Sequence, residues 1–201
     1  GSSALALTDH GNMNGLAYQV LHAKAMQSQG KEFKPIFGVE AYFIPSISEW
    51  KEEYERIKQD TALAKSLSKE GASGTTVEDE GESKKAIKSV LNRRRHLILL
   101  AQNQKGLNNI FKIISESYKE ENFYRYPRVD YEMLNKHGEG IIAASACLGG
   151  VYAGNYWENR DQGEEAVLEA MRETTRRMTE IFGDRWYGEL QWNNIPEQHE
   201  L

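Results

Sequence analysis

Short apolar runs alternate with stretches of helical periodicity along this chain. The run Ala4–Leu7 predicts a buried strand, and apolar residues recurring from Leu16 to Ala25 predict a helix that ends near Gly30. Residues 36–44 are rich in β-branched and aromatic side chains and stop at Pro45, so they predict a second strand. A strand, a helix and a strand in this order have the size of one βαβ unit.

The second half of the chain continues the alternation. Further strands are predicted at 96–101, 141–144 and 186–191, helices at 107–118 and 167–181, a short helix capped by Asp130, and a loop at 124–128. Strands that alternate with helices indicate an α/β fold with a mainly parallel sheet.

Residues 46–95 interrupt this pattern, and we interpret them as an insertion between two strands. Ser46 and Glu49 have the capping-box spacing, and apolar residues from Trp50 onward mark one face of a charged helix. From about residue 66 to 85 the residues are small and polar. Because such a segment cannot bury a core, it is predicted to be disordered.

The composition is that of one globular domain spanning 1–201. The chain has 39% hydrophobic and 27% charged residues, and it shows neither a secretory leader nor an apolar run long enough to span a bilayer. Its single cysteine, Cys147, excludes an internal disulfide and favours the cytoplasm. With a net charge of −5, contact with phosphates would need a local basic patch or a metal.

Four side chains that can ligate a metal lie on or beside four different predicted strands: His10, Glu40, His96 and Cys147. Ligands of parallel α/β proteins bind at the carboxyl ends of strands, and this donor set favours zinc. Each residue also has a simpler interpretation. The Asp9–His10 stretch can be an ordinary turn, the carboxylate can face water, and the histidine and the cysteine can be boundary and packing residues.

Other polar and aromatic residues have two interpretations each. Arg93–Arg95 can contact the phosphates of a DNA end, with Arg95 nearest the candidate ligands in sequence, or can be a solvated linker. Arg128 can reach a phosphate or form an ion pair. Bases can stack on aromatic side chains, but such residues are also common in packed cores. The aromatic candidates are Phe123, Tyr124 and Tyr126.

Several segments resemble, in order, the motifs of the polymerase-and-histidinol-phosphatase (PHP) domain, most closely the form found in the alpha subunit of bacterial DNA polymerase III. They are ALALTDHGN at 4–12, KPIFGVEAY at 34–42, HLILLAQN at 96–103, YPRVD at 126–130, EGIIAASACLG at 139–149 and ELQ at 189–191. The resemblance covers nearly the whole chain apart from the insertion.

The resemblance implies a distorted seven-stranded (βα) barrel, here incomplete, with up to three metal ions, zinc or manganese. It places Asp9 beside the ligands, where it would orient one of them, and it places four residues at metal-ligand positions: His10, Glu40, His96 and Cys147. Arg95 and Arg128 become candidate substrate contacts. The activity implied is metal-dependent phosphoester hydrolysis, which in some polymerases is a 3′–5′ proofreading exonuclease.

The resemblance also implies parts that this chain lacks. The family's first motif, a His-x-His pair, would precede Gly1, and its last, an Asp-x-His pair, would follow Leu201. The chain is therefore expected to be a fragment of a DNA-replication polymerase, to bind metal weakly or not at all, and to be inactive by itself. Expected partners are DNA, the rest of the polymerase and a separate exonuclease subunit, with no membrane. Open barrel edges predict self-association.

Two alternatives remain open at this point. The domain can be a scaffold without activity that stabilises the polymerase or binds an exonuclease. It can also be a free-standing small-molecule phosphatase such as a histidinol phosphatase, although the polymerase-like segment at 139–150 argues against this.

Overall fold

The structure is a computed structural model that describes residues 2–69, residue 85 and residues 87–200, with backbone only for 63–69. The strands are β1 (Ala4–His10), β2 (Lys34–Phe43), β3 (Arg95–Ala101), β4 (Phe123–Tyr124), β5 (Tyr126–Val129), β6 (Ile141–Ala144) and β7 (Trp186–Tyr187). The helices are α1 (Leu16–Ser28), α2 (Ile47–Lys69), α3 (87–92), α4 (Gln104–Ser117), α5 (Tyr131–His137), α6 (Val151–Asn159), α7 (Glu164–Phe182) and α8 (Pro196–Glu200).

The strands form one mixed sheet in the order β4-β5-β2-β3-β6-β7, and β1 pairs with the first part of β2. β1, β2, β5, β6 and β7 run in one direction, while β3 is antiparallel to both of its neighbours. The sheet is mostly parallel and open, which confirms the predicted incomplete α/β barrel. Among the described residues no ladder joins the two ends of the sheet. Self-association through these edges stays a prediction.

The hydrophobic core lies on one face of the sheet. Alternate residues of β2, β3 and β6 point into it, because successive side chains of a strand face opposite sides. Helices α4, α5 and α7 cover this face with Ile110, Ile113, Leu134 and Met178. These residues and the sheet residues Val39, Leu97, Leu99 and Ala143 are all fully buried. The remaining side chains of these strands point to the opposite face of the sheet, where the candidate site lies.

The predicted insertion is partly a packed element. Trp50 of α2 is buried and donates a hydrogen bond from Nε1 to the carbonyl of Val90 in α3 at 2.8 Å. The segment between β2 and β3 therefore leaves the sheet and re-enters it at the same end. Because it returns there, β3 starts beside the end of β2 and runs back along it.

Three local expectations need correction. Residues 124–128, predicted as a loop, form most of the short β4–β5 hairpin, and the strand predicted at 186–191 ends at Tyr187. Helix α2 continues to Lys69, inside the segment 66–85 predicted to be disordered, and most of that segment lies outside the described residues. Helix α6 was not predicted.

No helix in the described part of the chain is both long and apolar enough to cross a membrane.

Candidate metal centre

Strand register brings three of the predicted ligands together. His10 and Glu40 are direct partners in the β1–β2 ladder, and His96 lies across from Tyr42, one step along the same face of β2. His10 Nε2 lies 3.3 Å from one carboxylate oxygen of Glu40, and His96 Nδ1 lies 2.6 Å from the other. One ligand atom from each of the three residues lies within 4.8 Å of the other two.

Cys147 reaches the same place from the loop after β6. Its Sγ lies 3.4 Å from His96 Nδ1 and 3.9 Å from a Glu40 carboxylate oxygen. The backbone N–H of His96 donates to the carbonyl of Gly149 at 2.7 Å and so ties this loop to β3. Gly150 permits the tight turn, because a Cβ there would lie 2.0 Å from the carbonyl oxygen of Ser145.

The electrostatics of the cluster suit a cation. Glu40 is only 15% exposed, and a carboxylate withdrawn from water needs positive charge or hydrogen-bond donors nearby. Burial lowers the pKa of His96, and the charges of His10 and Arg94 add to this, although Glu40 opposes it. The ring is therefore neutral near pH 7 and offers a lone pair, which is the form that ligates metals.

The donor set fits the metal that the resemblance implies. Two imidazoles, a carboxylate and a thiol are borderline-soft ligands of the kind that zinc takes, and manganese is compatible with the oxygen and nitrogen donors. Glu40 lies within 3.9 Å of a donor atom of each of the other three residues, so its carboxylate is the centre of the cluster. The structure thus brings together all four residues predicted as ligands.

Asp9 does not face this cluster. Its carboxylate accepts a hydrogen bond from the backbone N–H of Gly15 at 2.7 Å, at the start of α1. Asp9 and His10 are consecutive residues of β1, so their side chains point to opposite faces of the sheet. The expected orientation of a ligand by Asp9 is therefore corrected: Asp9 holds the turn into α1.

The two arginines predicted to contact substrate are engaged elsewhere. Arg95 forms an ion pair with Glu158 and donates to the carbonyl of Gly154. Arg128 is fully buried, and its guanidinium lies 4.2 Å from the ring of Trp50. Burial lowers its pKa to about 10, so it remains a cation at neutral pH. It donates to the carbonyls of Leu91, Arg93, Tyr124 and Tyr126.

Three residues outside the predicted ligand set border the cluster: Tyr42, Arg94 and Tyr126. Sequence reasoning assigned two interpretations to Arg94 and to Tyr126, whereas it left out Tyr42. The ring of Tyr42 stacks on His10 with the planes 1° apart and the centroids 6.2 Å apart. Tyr126 packs edge-on against Tyr42 at 5.3 Å, and Arg94 lies over both rings. For Tyr42 strand parity was the available signal, because it is two residues from Glu40 in β2 and its side chain points to the same face.

A cleft of about 720 Å³ opens beside Cys147. Its walls come from the loop after β6 and from α6, α7 and the chain after β7. Apolar side chains supply much of the lining, and Arg172 and Arg176 lie at its side, each paired with glutamates of α7. Of the four predicted ligands, only Cys147 lines this cleft.

Comparison with known proteins gives a consistent result. The profile of the PHP domain matches residues 1–193. The chain is 37% identical over 198 residues to the DNA polymerase III subunit alpha of Aquifex aeolicus, covering 98% of this chain and 13% of that protein. The corresponding figures for Deinococcus radiodurans are 32% over 195 residues, 97% and 11%, and for Borreliella burgdorferi 33% over 196 residues, 98% and 13%. The chain thus spans a small part of the length of these relatives.

Proposed function

The chain belongs to the PHP domain family, and from this premise we propose that it is the metal-dependent phosphoesterase centre of a DNA-replication polymerase. The observation that carries the proposal is the cluster of His10, Glu40 and His96, with the sulfur of Cys147 beside the last two. A domain kept only as a scaffold would not need to preserve this geometry.

The substrate that we propose is a nucleic-acid 3′ end, which would make the reaction a 3′–5′ proofreading exonuclease. A bound divalent cation supplies Lewis acidity toward a phosphoester oxygen and toward water. Glu40 and the Cys147 thiolate supply the negative charge that balances the cation. His10, whose side chain is 58% exposed, stands on the open side of the cluster, where a phosphoester can approach.

The neighbouring side chains hold this arrangement in place. Tyr42 stacks on His10, and the ladder between β1 and β2 fixes the position of the histidine relative to Glu40. The backbone nitrogen of Gly149 lies 3.4 Å from Cys147 Sγ and donates its N–H to the sulfur, which fixes the position of this side chain. These contacts preorganise the ligands before a metal binds.

Metal binding is the first test. Glu40→Gln removes the shared carboxylate, and we expect zinc affinity to fall at least about tenfold, measured by competition with a chromogenic chelator. Glu120→Gln, the same change on an exposed residue, is the matched control. With cobalt as the probe, we expect the near-ultraviolet absorption of a metal–thiolate bond, and Cys147→Ser should abolish it. Absence of metal uptake, or survival of this band in Cys147→Ser, would contradict the proposed centre.

Hydrolysis is the second test. Release of 3′ nucleotides from a labelled oligonucleotide is measured with zinc or manganese in protein extended by the flanking segments, with the wild-type sequence and with Glu40→Gln, because this chain by itself is expected to be inactive. We expect release that depends on metal and is lost in the variant. Intact metal binding without release, together with stable binding of a defined exonuclease subunit, would favour the scaffold instead.

A further inference from the structure

Three consecutive arginines enter β3, and their guanidinium groups have different environments. Arg93 forms two hydrogen bonds, of 2.5 and 2.9 Å, with the carboxylate of Glu53. Arg95 is paired with Glu158. Within the part of the chain that the structure describes, Arg94 has no ion-pair partner, so its charge is the one that no carboxylate offsets.

Arg94 is held beside the ligand cluster by aromatic rings. Its guanidinium carbon lies 3.9 Å from the centre of the Tyr126 ring and 5.4 Å from that of Tyr42. The Tyr42 ring in turn lies 5.7 Å from the ring of His96 and 6.2 Å from that of His10. The guanidinium is therefore one aromatic ring away from two of the metal ligands.

The hydrogen-bonding capacity of Arg94 is largely unused. Nη1 donates to the carbonyl of Asn92 at 2.9 Å, while Nε is buried and has no partner among the described residues. A buried N–H without an acceptor is costly, and such groups usually mark a place where a water or a ligand binds. The missing partner of a guanidinium is an acceptor, and an anion is the strongest one.

We propose that Arg94 is a substrate-binding residue that holds a phosphate group of a nucleic-acid strand next to the metal centre. The inference rests on the proposed function, because it assumes that a phosphoester occupies that centre. A guanidinium presents its donors in a planar fork that matches two phosphate oxygens. Tyr126 and Tyr42 keep this fork oriented, so less conformational freedom is lost on binding.

The chain's overall charge makes this assignment more specific. With a net charge of −5, the protein as a whole repels a polyanion, and attraction must come from a local cation. Arg93, Arg95 and Arg128 are committed to carboxylates or carbonyls of the fold. Arg94 is the member of this group that lies over the two aromatic rings bordering the cluster.

The test measures binding of a short 5′-labelled oligothymidine by fluorescence anisotropy, as a function of salt and in zinc-loaded protein. For Arg94→Gln we expect the affinity to fall about tenfold and the slope of log affinity against log salt to become shallower by about one, the signature of one lost phosphate contact. Arg95→Gln is the matched control, with affinity expected within about twofold of wild type, because that charge is already paired. Zinc content should be equal in all three proteins.

A second pair of variants tests whether the ring of Tyr126 orients the guanidinium of Arg94. Tyr126→Leu removes the surface under Arg94 and should weaken oligothymidine binding several-fold, while Tyr126→Phe keeps the ring and should bind as the wild type does. Equal affinity and equal salt slope for wild type and Arg94→Gln, with zinc bound, would overturn the inference while leaving the metal centre intact. If wild-type protein takes up no zinc, the proposed function fails instead, and the inference falls with it.

Discussion

Replacement of Arg128 by methionine separates a structural role from a substrate-binding one. The residue is fully buried, and its guanidinium stacks on Trp50 at 4.2 Å. It donates to Leu91 O at 2.5 Å and Tyr124 O at 2.8 Å, with longer contacts to Tyr126 O at 3.3 Å and Arg93 O at 3.4 Å. These acceptors belong to α3 and to the β4–β5 hairpin and its neighbours, so Arg128 joins the insertion to the sheet.

The expected cost of Arg128→Met follows from these contacts. Methionine keeps most of the apolar stem, but the two strongly bonded carbonyls lose their donor, at ~1–3 kcal/mol each for a buried unsatisfied group. Loss of the guanidinium–indole contact adds ~1–2 kcal/mol. Removal of the buried charge offsets part of this loss of stability, since burying an ion is itself costly. The net loss is about 3–5 kcal/mol, a large share of the ~5–15 kcal/mol that stabilises a typical domain.

Equilibrium unfolding in urea measures this loss. The midpoint should fall while the slope with denaturant stays the same, and the melting temperature should drop by roughly 6–20 °C. Arg125→Met makes the same change at an exposed position in the same hairpin and should stay within about 0.5 kcal/mol of wild type. Folded Arg128→Met at low temperature should bind oligothymidine as the wild type does. A variant of normal stability with weakened oligothymidine binding would refute this reasoning and return Arg128 to the substrate site.

Two further predictions concern contacts outside the ligand cluster. Asp9→Ala should lower the unfolding free energy by about 1 kcal/mol, because the N–H of Gly15 loses its acceptor. The zinc content should stay at the wild-type level. Loss of zinc would place Asp9 back at the metal centre. Hydrogen bonds from Arg93 hold the pKa of Glu53 below its ordinary value of 4.5, so this pair contributes stability above that pH and loses it as the pH falls through the lowered value. The stability difference between wild type and Glu53→Gln, under about 1 kcal/mol for so exposed a pair, should shrink below pH 4.5, and a difference independent of pH would contradict this assignment.

The cluster of candidate ligands was predictable because it depends on residue type and on the positions of the strands. His10, Glu40 and His96 each sit in or beside an apolar run, and a polar ligand in that context is visible in the sequence. The capping role of Asp130 was equally local, and its carboxylate accepts from the N–H of Met133 at 3.0 Å as predicted. Such features need only the sequence within a few residues.

The arginine that we propose as a substrate contact differs from the two that the sequence suggested, Arg95 and Arg128. Arg94 immediately precedes β3 and lies over the rings of Tyr42 and Tyr126, whereas Arg95, the first residue of β3, meets Glu158. The environment of each guanidinium separates these arginines, and it depends on Glu53, Glu158 and Tyr126, which lie far from them in the sequence.

By itself the sequence determined which chemical groups this protein carries, which segments bury an apolar face, and that two imidazoles, a carboxylate and a thiol belong to strand ends. The tertiary structure alone decided which of its charges are already neutralised, since Glu53, Glu158 and the carbonyls around Arg128 come from distant parts of the chain. It also decided the reversed direction of β3, because that depends on where the packed insertion returns to the sheet. Pairing between residues far apart in sequence is set by packing, and no local pattern encodes it.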